Sequence, residues 1–188
     1  VFEFASTSKI TFPGGGVACC ASSIGNIEWL TKNSLLQLKT GDKINQYRHV
    51  LFLKDLAGVQ KHMKKHGELI AEKFKAVDEV MKSELAGYGV TGLAEWKIPG
   101  GGYFIHVKLL PGMAKRVYGL CRDCGVNITP AGSTFPYGVD PEDRYIRLAP
   151  TYLTVEELRM AMEVFCISIK LAYLLLAASS VSFCICRS

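Results

Sequence analysis

The sequence predicts an α/β fold, and three observations carry that expectation. Short apolar runs bounded by Gly, Ser and Thr alternate with stretches of helical periodicity. One long amphipathic segment, from about Asp55 to Leu85, dominates the middle of the chain. Hydrophobic residues make up 49% and charged residues 21% of the 188, the balance of a globular protein able to bury a core and not of a disordered one.

The elements follow in order. Val1 to Phe4 and Val17 to Ala21 are apolar runs that fit buried strands of a sheet. Helical patterning begins after Ser23 and runs to about Leu38, and Gly41 punctuates a break at TGDK. In the long segment, Leu56, Val59, Met63, Ile70, Phe74, Val77, Met81 and Leu85 form an apolar stripe among lysines and glutamates, and glycines at 87, 89 and 92 stop it. Leu93 to Ile98 and Tyr103 to Leu109 are strand-like runs joined by PGGG. Pro111-Gly112 leads into a helix ending near Cys124, Val126 to Thr129 and Tyr145 to Leu148 predict two more strands, and Thr154 opens a last helix. Glu156 and Glu157 in its first turn favour the helix dipole.

This order predicts three regions: 1–50 as the end of one sheet domain, 51–170 as a compact α/β unit, and 171–188 as an apolar tail. The opening VFEFAS reads as a strand already in progress, so the expectation is a chain that starts inside a larger protein. Leu171 to Cys186 carries no charge but is shorter than the ~20 residues that span a bilayer, so no membrane partner is expected. A buried or partner-covered helix end or an altered terminus is the expected reading, with a tail anchor between Lys170 and Arg187 as the alternative.

Composition excludes several function classes. Lys and Arg outnumber Asp and Glu by 22 to 17, but the excess is scattered apart from Lys61 to Lys65, which reads as a solvated helix face. Without a reading motif or base-stacking aromatics, no nucleic-acid partner is expected. Seven cysteines and no secretory leader predict a reduced, cytoplasmic setting with thiols as small core residues. The CRDC run (Cys121, Cys124) has no second pair to complete a tetrahedral site, and HMKKH (His62, His66) lacks the glutamate of HExxH, so no metal is expected. His49 and His106 have no partner legible in the sequence.

The chemistry concentrates in STSKITFPGGGVA, Ser6 to Ala18. A P-loop places its lysine after the glycines, whereas Lys9 precedes them. A dinucleotide fingerprint matches at Gly14 and Gly16 and fails at Cys19. A strand, then Ser-Thr-Ser-Lys, then a glycine-rich turn also suits a lysine used as an amine nucleophile, with small neighbours leaving room for a cofactor and hydroxyls for its phosphate. On residue types alone, an exposed turn lysine remains open.

Four segments in a fixed order carry a resemblance. STSKITFPGGGVA resembles the cofactor-lysine segment of class I, fold type I pyridoxal-phosphate aminotransferases. KIPGGGYFIHV is similar to their small-domain hairpin, GVNITPAGSTFPYG to a later proline-glycine-phenylalanine segment, and RYIRLAPTYLTVEEL to their C-terminal signature. The bacterial aspartate-aminotransferase-like branch is the nearest likeness, through its T-F-x-G-x-G-V run and the N-Q-x-R-H-V helix opening at Asn45 to Val50. The resemblance covers residues 1 to about 170.

It implies the end of a pyridoxal-phosphate-transferase large domain followed by the α/β small C-terminal domain. By that resemblance Lys9 is the covalent cofactor lysine and the base that moves the substrate α-proton, Ser6 and Ser8 are phosphate ligands, and Arg147 grips the substrate α-carboxylate. Arg48 and Lys39 fall where some relatives contact a second carboxylate. The implied cofactor is pyridoxal 5'-phosphate, and the implied reaction is amino transfer between an amino acid, aspartate as the family-level guess, and a 2-oxo acid. The implied assembly is a homodimer. Two departures stand out. The arginine expected about eight residues after the lysine is missing, and that region reads Gly-Gly-Val-Ala. The aspartate and aromatic residues that face the pyridine ring precede the lysine in this family and fall outside the chain. The alternative implied is therefore an inactive aminotransferase-like chain that only folds or associates.

Overall fold

The computed structural model describes residues 1–12, 14–34, 40–86 and 92–185, with 179–185 as backbone. Lys39 and the glycines at 87 and 89 lie outside these residues. Packing divides the chain into two compact units, Val1–Glu68 and Leu69–Ser188. The division falls later than the expected 50/51 boundary, inside a continuous helix.

In the first unit, β1 (Glu3–Ser6) pairs antiparallel with β2 (Ala18–Ala21), from Glu3 opposite Ala21 to Ser6 opposite Ala18. The sequence predicts both as buried, but nearly every residue in them is exposed. An apolar run specifies extended backbone, while burial needs a second layer, and among the described residues of this unit nearly all of the ribbon stays exposed. The first helix, α1 (Ile24–Ser34), likewise has no buried residue. The next, α2 (Lys43–Leu53), is capped by Asp42, whose carboxylate accepts the Asn45 N–H at 2.9 Å.

α3 (Leu56–Ala86) follows after a tight corner. A Cβ on Gly58 would sit 1.8 Å from the Leu53 carbonyl oxygen, so the two helices close on each other only over a glycine.

The second unit is built on a three-stranded antiparallel sheet in the order β3 (Ala94–Lys97), β4 (Ile105–Leu109), β5 (Tyr145–Leu148). Alternation sorts its two faces. Ile105, Val107, Leu109, Ile146 and Leu148 are buried against helices, while His106, Lys108, Tyr145 and Arg147 occupy the other face. The helices are the second half of α3, through Phe74, Val77 and Met81, then α4 (Ala114–Asp123) through Val117 and Cys121, and α5 (Val155–Ile185). Thr154 and Glu157 form a reciprocal capping box at the start of α5: the Glu157 carboxylate accepts the Thr154 N–H at 2.9 Å, and the Thr154 hydroxyl accepts the Glu157 N–H at 3.3 Å.

Two further expectations meet this unit. Val126 to Thr129 is not a strand. Its first N–H donates to the Cys121 carbonyl at the end of α4, and Pro130 follows, so the run is spent leaving a helix instead of joining a ladder. The apolar tail continues α5 as helix. By length and composition Val155–Ala178 could cross a membrane, yet Leu158, Met162, Phe165, Cys166, Ile169 and Ala172 are buried in the core, the stripe of a core helix. Burial first, and then the Glu84 carboxylate, push the Cys166 thiol up to about 12, and burial likewise raises Cys121, so these two thiols behave as inert core residues.

Candidate active site

β1 ends at Ser6 and delivers the chain into the turn that carries Lys9. The Ile10 and Thr11 N–H groups both donate to the Thr7 carbonyl, each at 3.0 Å, which winds one helical turn around Lys9. The base of the loop is closed by Thr7 N–H donating to the Val17 carbonyl at 2.9 Å and Val17 N–H donating to the Thr7 hydroxyl at 2.8 Å. Lys9 is exposed at the crest. The two serines named by the resemblance are brought together, the Ser6 hydroxyl donating to that of Ser8 at 3.2 Å.

The glycine run has steric reasons. Gly14 has φ +74°, a left-handed conformation that favours glycine. A Cβ on Gly16 would lie 2.6 Å from the Ser8 hydroxyl and 2.9 Å from its Cα, and one on Gly15 would lie 2.7 Å from an Arg48 guanidinium nitrogen. The bare backbone therefore lets Ser8 on one side and Arg48 on the other approach the loop. Arg48 stacks 4.5 Å from the Phe12 ring centre and donates to the Asn45 side-chain oxygen at 2.5 Å.

Behind the turn lies His49, only 7% exposed. Its Nδ1 is 2.8 Å from the Asn45 carbonyl, an acceptor, so Nδ1 carries the proton. Nε2 is then the acceptor facing the Thr7 hydroxyl at 3.0 Å and the Thr11 hydroxyl at 3.1 Å. Asn45 reaches the far side of the loop, its amide donating to the Gly16 carbonyl at 3.3 Å. His62 hydrogen-bonds the Ile10 carbonyl, its ring lies edge-on to Phe52, and it packs against His66. The HMKKH run reads as a solvated face in sequence, but His62 and His66 are half-buried by these contacts, and only Lys61, Lys64 and Lys65 are exposed as expected. Among the described residues no group of three His, Cys, Asp or Glu could hold a metal.

Arg147 belongs to the second unit, on the outer face of β5 opposite His106. Its guanidinium stacks 4.5 Å from the Phe104 ring centre, and its Nε is buried with no hydrogen-bond partner among the described residues. A buried N–H left unmet costs about 1–3 kcal/mol, so this group has unspent capacity for an anion. Around it His106 stacks on Tyr145 at 5.0 Å, and Phe135 of the AGSTFPYG loop packs on the same tyrosine at 5.5 Å. A Cβ on Gly132 would lie 2.2 Å from the Gly138 carbonyl oxygen, which ties that loop tightly across itself.

The start of β5 is held by Asp140. Its carboxylate accepts three backbone N–H groups, from Arg144 at 2.8 Å, Tyr145 at 2.9 Å and Glu142 at 3.0 Å. Burial pushes this carboxyl up, but the backbone donors outweigh it and hold the group below the ordinary aspartate value.

With both sets of residues in view, comparison with known proteins is decisive. A family model described as aspartate amino-transferase matches residues 1–179. The chain belongs to that family. The aspartate aminotransferase of Corynebacterium glutamicum is 42% identical over 162 residues, which are 86% of this chain and 37% of that protein. A Mycolicibacterium smegmatis protein is 45% identical over 160 residues, again 37% of its length. A solved C. glutamicum aspartate transaminase superposes with a TM-score of 0.83 at 40% identity, over 91% of this chain and 40% of its own. The α-aminoadipate aminotransferase LysN of Thermus thermophilus, complexed with a phosphopyridoxyl-leucine adduct, shares the fold alone, with a TM-score of 0.78 at 20% identity. This aspartate amino-transferase family chain therefore spans about two-fifths of the relatives it matches, and its fold is the mixed α/β one expected.

Sequence reading missed His49, Thr7, Thr11, Phe104 and Asp140. The only signals available were the N-Q-x-R-H-V run, which sets Asn45 and His49 four apart on one helix face, and an aspartate a few residues before a strand.

Proposed function

We propose that this chain contributes part of the active site of a pyridoxal 5'-phosphate-dependent aminotransferase acting on an amino acid, aspartate in the reading favoured here, and a 2-oxo acid. The observation that carries the proposal is the Arg147 guanidinium, stacked on Phe104 with a buried Nε that has no partner among the described residues. A substrate α-carboxylate is the planar anion that accepts two bonds at a time from this fork, and lysine could not reproduce that geometry. Aspartate is favoured by the name of the C. glutamicum relative.

Lys9 is the amine that holds the cofactor and carries a proton to and from the substrate α-carbon. Ser6 and Ser8 donate their hydroxyls to the phosphate. The missing family arginine is offset by the glycine-loop N–H groups and by Arg48, the cation set against that loop. When bound, pyridoxal phosphate supplies an electron sink for the α-carbon's electron pair. The residues fit it: the paired Ser6 and Ser8 hydroxyls, 3.2 Å apart, and the Arg48 guanidinium set against Gly15 are donors suited to a phosphate. A cytoplasmic homodimer is the assembly this reading carries.

The test is covalent trapping. The chain is incubated with pyridoxal phosphate, reduced with borohydride and mapped by peptide mass spectrometry, with Lys9→Ala alongside. The expected result is a visible absorbance band and a cofactor adduct on Lys9, both absent in the variant. An adduct spread over surface lysines in proportion to their exposure would reject Lys9, and would favour a chain that only folds or associates.

A further inference from the structure

Resting on the reading of Lys9 as the cofactor lysine, we propose that His49 is the positioning residue of the Lys9 turn. Its Nε2 gathers the hydroxyls of Thr7 and Thr11, the residues two before and two after Lys9, at 3.0 and 3.1 Å. One ring nitrogen thus ties both flanks of the reactive residue to one point. The other nitrogen is held by the Asn45 carbonyl at 2.8 Å, which fixes the tautomer and aims the ring. The grip continues through the Asn45 amide on Gly16 and through Thr7, whose hydroxyl accepts the Val17 N–H.

A bland account would make His49 a helix residue that happens to be buried. In the first unit, however, His49 and Leu53 are the only buried residues among those described. Burying an imidazole there, instead of an apolar residue, costs free energy unless its nitrogens are used, and both are. A leucine would fill the space but remove the one nitrogen that both hydroxyls face, leaving Thr11 bonded to the Thr7 carbonyl and Thr7 to the Val17 carbonyl, contacts within the loop that do not reach α2. Lys9 leaves the chain from this turn, and α2 reaches both flanks of the turn through His49.

His49→Asn and His49→Gln separate the role from mere burial. The asparagine amide can keep the bond to the Asn45 carbonyl but has no acceptor at the Nε2 position. The longer glutamine side chain can present its oxygen there. Two readouts are taken on the 188-residue chain. One is hydrogen exchange at the Val17 amide. The other is labelling of Lys9 relative to exposed Lys43, with acetic anhydride as a cofactor-free probe and with pyridoxal phosphate plus borohydride.

For His49→Asn, Val17 exchange should quicken roughly tenfold, the scale of one lost hydrogen bond, and the Lys9:Lys43 pyridoxal ratio should fall by a similar factor. The acetic anhydride ratio should change less, because a small reagent makes little demand on orientation. His49→Gln should restore both within about twofold. Thr11→Val, which removes one of the two hydroxyls and leaves the histidine, should show a smaller fall in the same direction, and it carries the test if His49→Asn does not fold. Wild-type values in His49→Asn overturn the proposal. So does faster Val17 exchange with an unchanged Lys9 pyridoxal ratio, which would leave His49 as a structural tie only. Should the wild-type chain show no preferential pyridoxal labelling of Lys9, the cofactor reading fails instead, and exchange at Val17 alone decides whether His49 holds the turn.

Discussion

The two units of the chain are held by different forces. In Val1–Glu68 only His49 and Leu53 are buried among the described residues, and the Lys9 turn owes its shape to a lattice of hydrogen bonds between Thr7, Thr11, Val17, Asn45 and His49. In Leu69–Ser188 a continuous apolar core, with Phe165, Met81, Ile105 and Val117 fully buried, supports the sheet from one side. The candidate residue of each unit is set accordingly. Lys9 is aimed by directional polar bonds near the surface, and Arg147 by strand alternation above a dry layer. Polar lattices lose geometry when one atom is changed, whereas cores lose stability when volume is removed.

That contrast can be broken from the core side first. Phe165→Ala removes a fully buried ring from α5 and should lower the stability of the second unit by about 3–5 kcal/mol in denaturant unfolding. The Val17 amide of the first unit should keep its exchange rate at low denaturant. An equal loosening there would mean that the two units unfold as one.

A smaller effect sharpens the comparison, because Asp140 is a polar device inside the apolar unit. Asp140→Ala strips three backbone N–H groups of their charged acceptor and should cost about 2–3 kcal/mol. Its pH dependence has a defined sign. The carboxyl is held below its ordinary value in the folded protein, so its contribution is complete above the unfolded value of about 3.9 and is lost as pH falls through the lower folded value. Unfolding curves from pH 6 downward should therefore show an acid limb in the wild type that is reduced in Asp140→Asn. The smallest change expected is Thr154→Ala, which opens the capping box of α5 and should cost about 1 kcal/mol by thermal unfolding.

Much of the second unit was legible in the sequence because its signals are local. The stripe from Ile70 to Leu85 reads directly as α3, Tyr145 to Leu148 is the observed β5, and Thr154 with Glu157 marks the start of α5. Val126 to Thr129 was misread because period-two alternation specifies extended backbone and says nothing about whether a partner strand is available. The overestimated burial of β1 and β2 has a related cause: they do pair with each other, but an apolar run says nothing about whether a second layer covers the ribbon. In the site, S-x-x-K and the β5 arginine stand out as residue types in a motif. His49 does not, because its role depends on contacts with Thr7 and Thr11 some forty positions away in the chain, and a lone histidine on a helix carries no mark of them.

Strand β5 also makes a demand on evolution at this locus. Its alternate residues belong to two separate worlds, Ile146 and Leu148 in the core and Tyr145 and Arg147 outside it. Losing or gaining a single codon between Asp140 and Tyr145 would swap them, driving a guanidinium into the hydrocarbon layer and leaving isoleucine on the outer face. The turn leading into β5 should therefore tolerate many substitutions at its exposed positions and almost no change in length, a signature that a library of insertions and deletions would reveal directly.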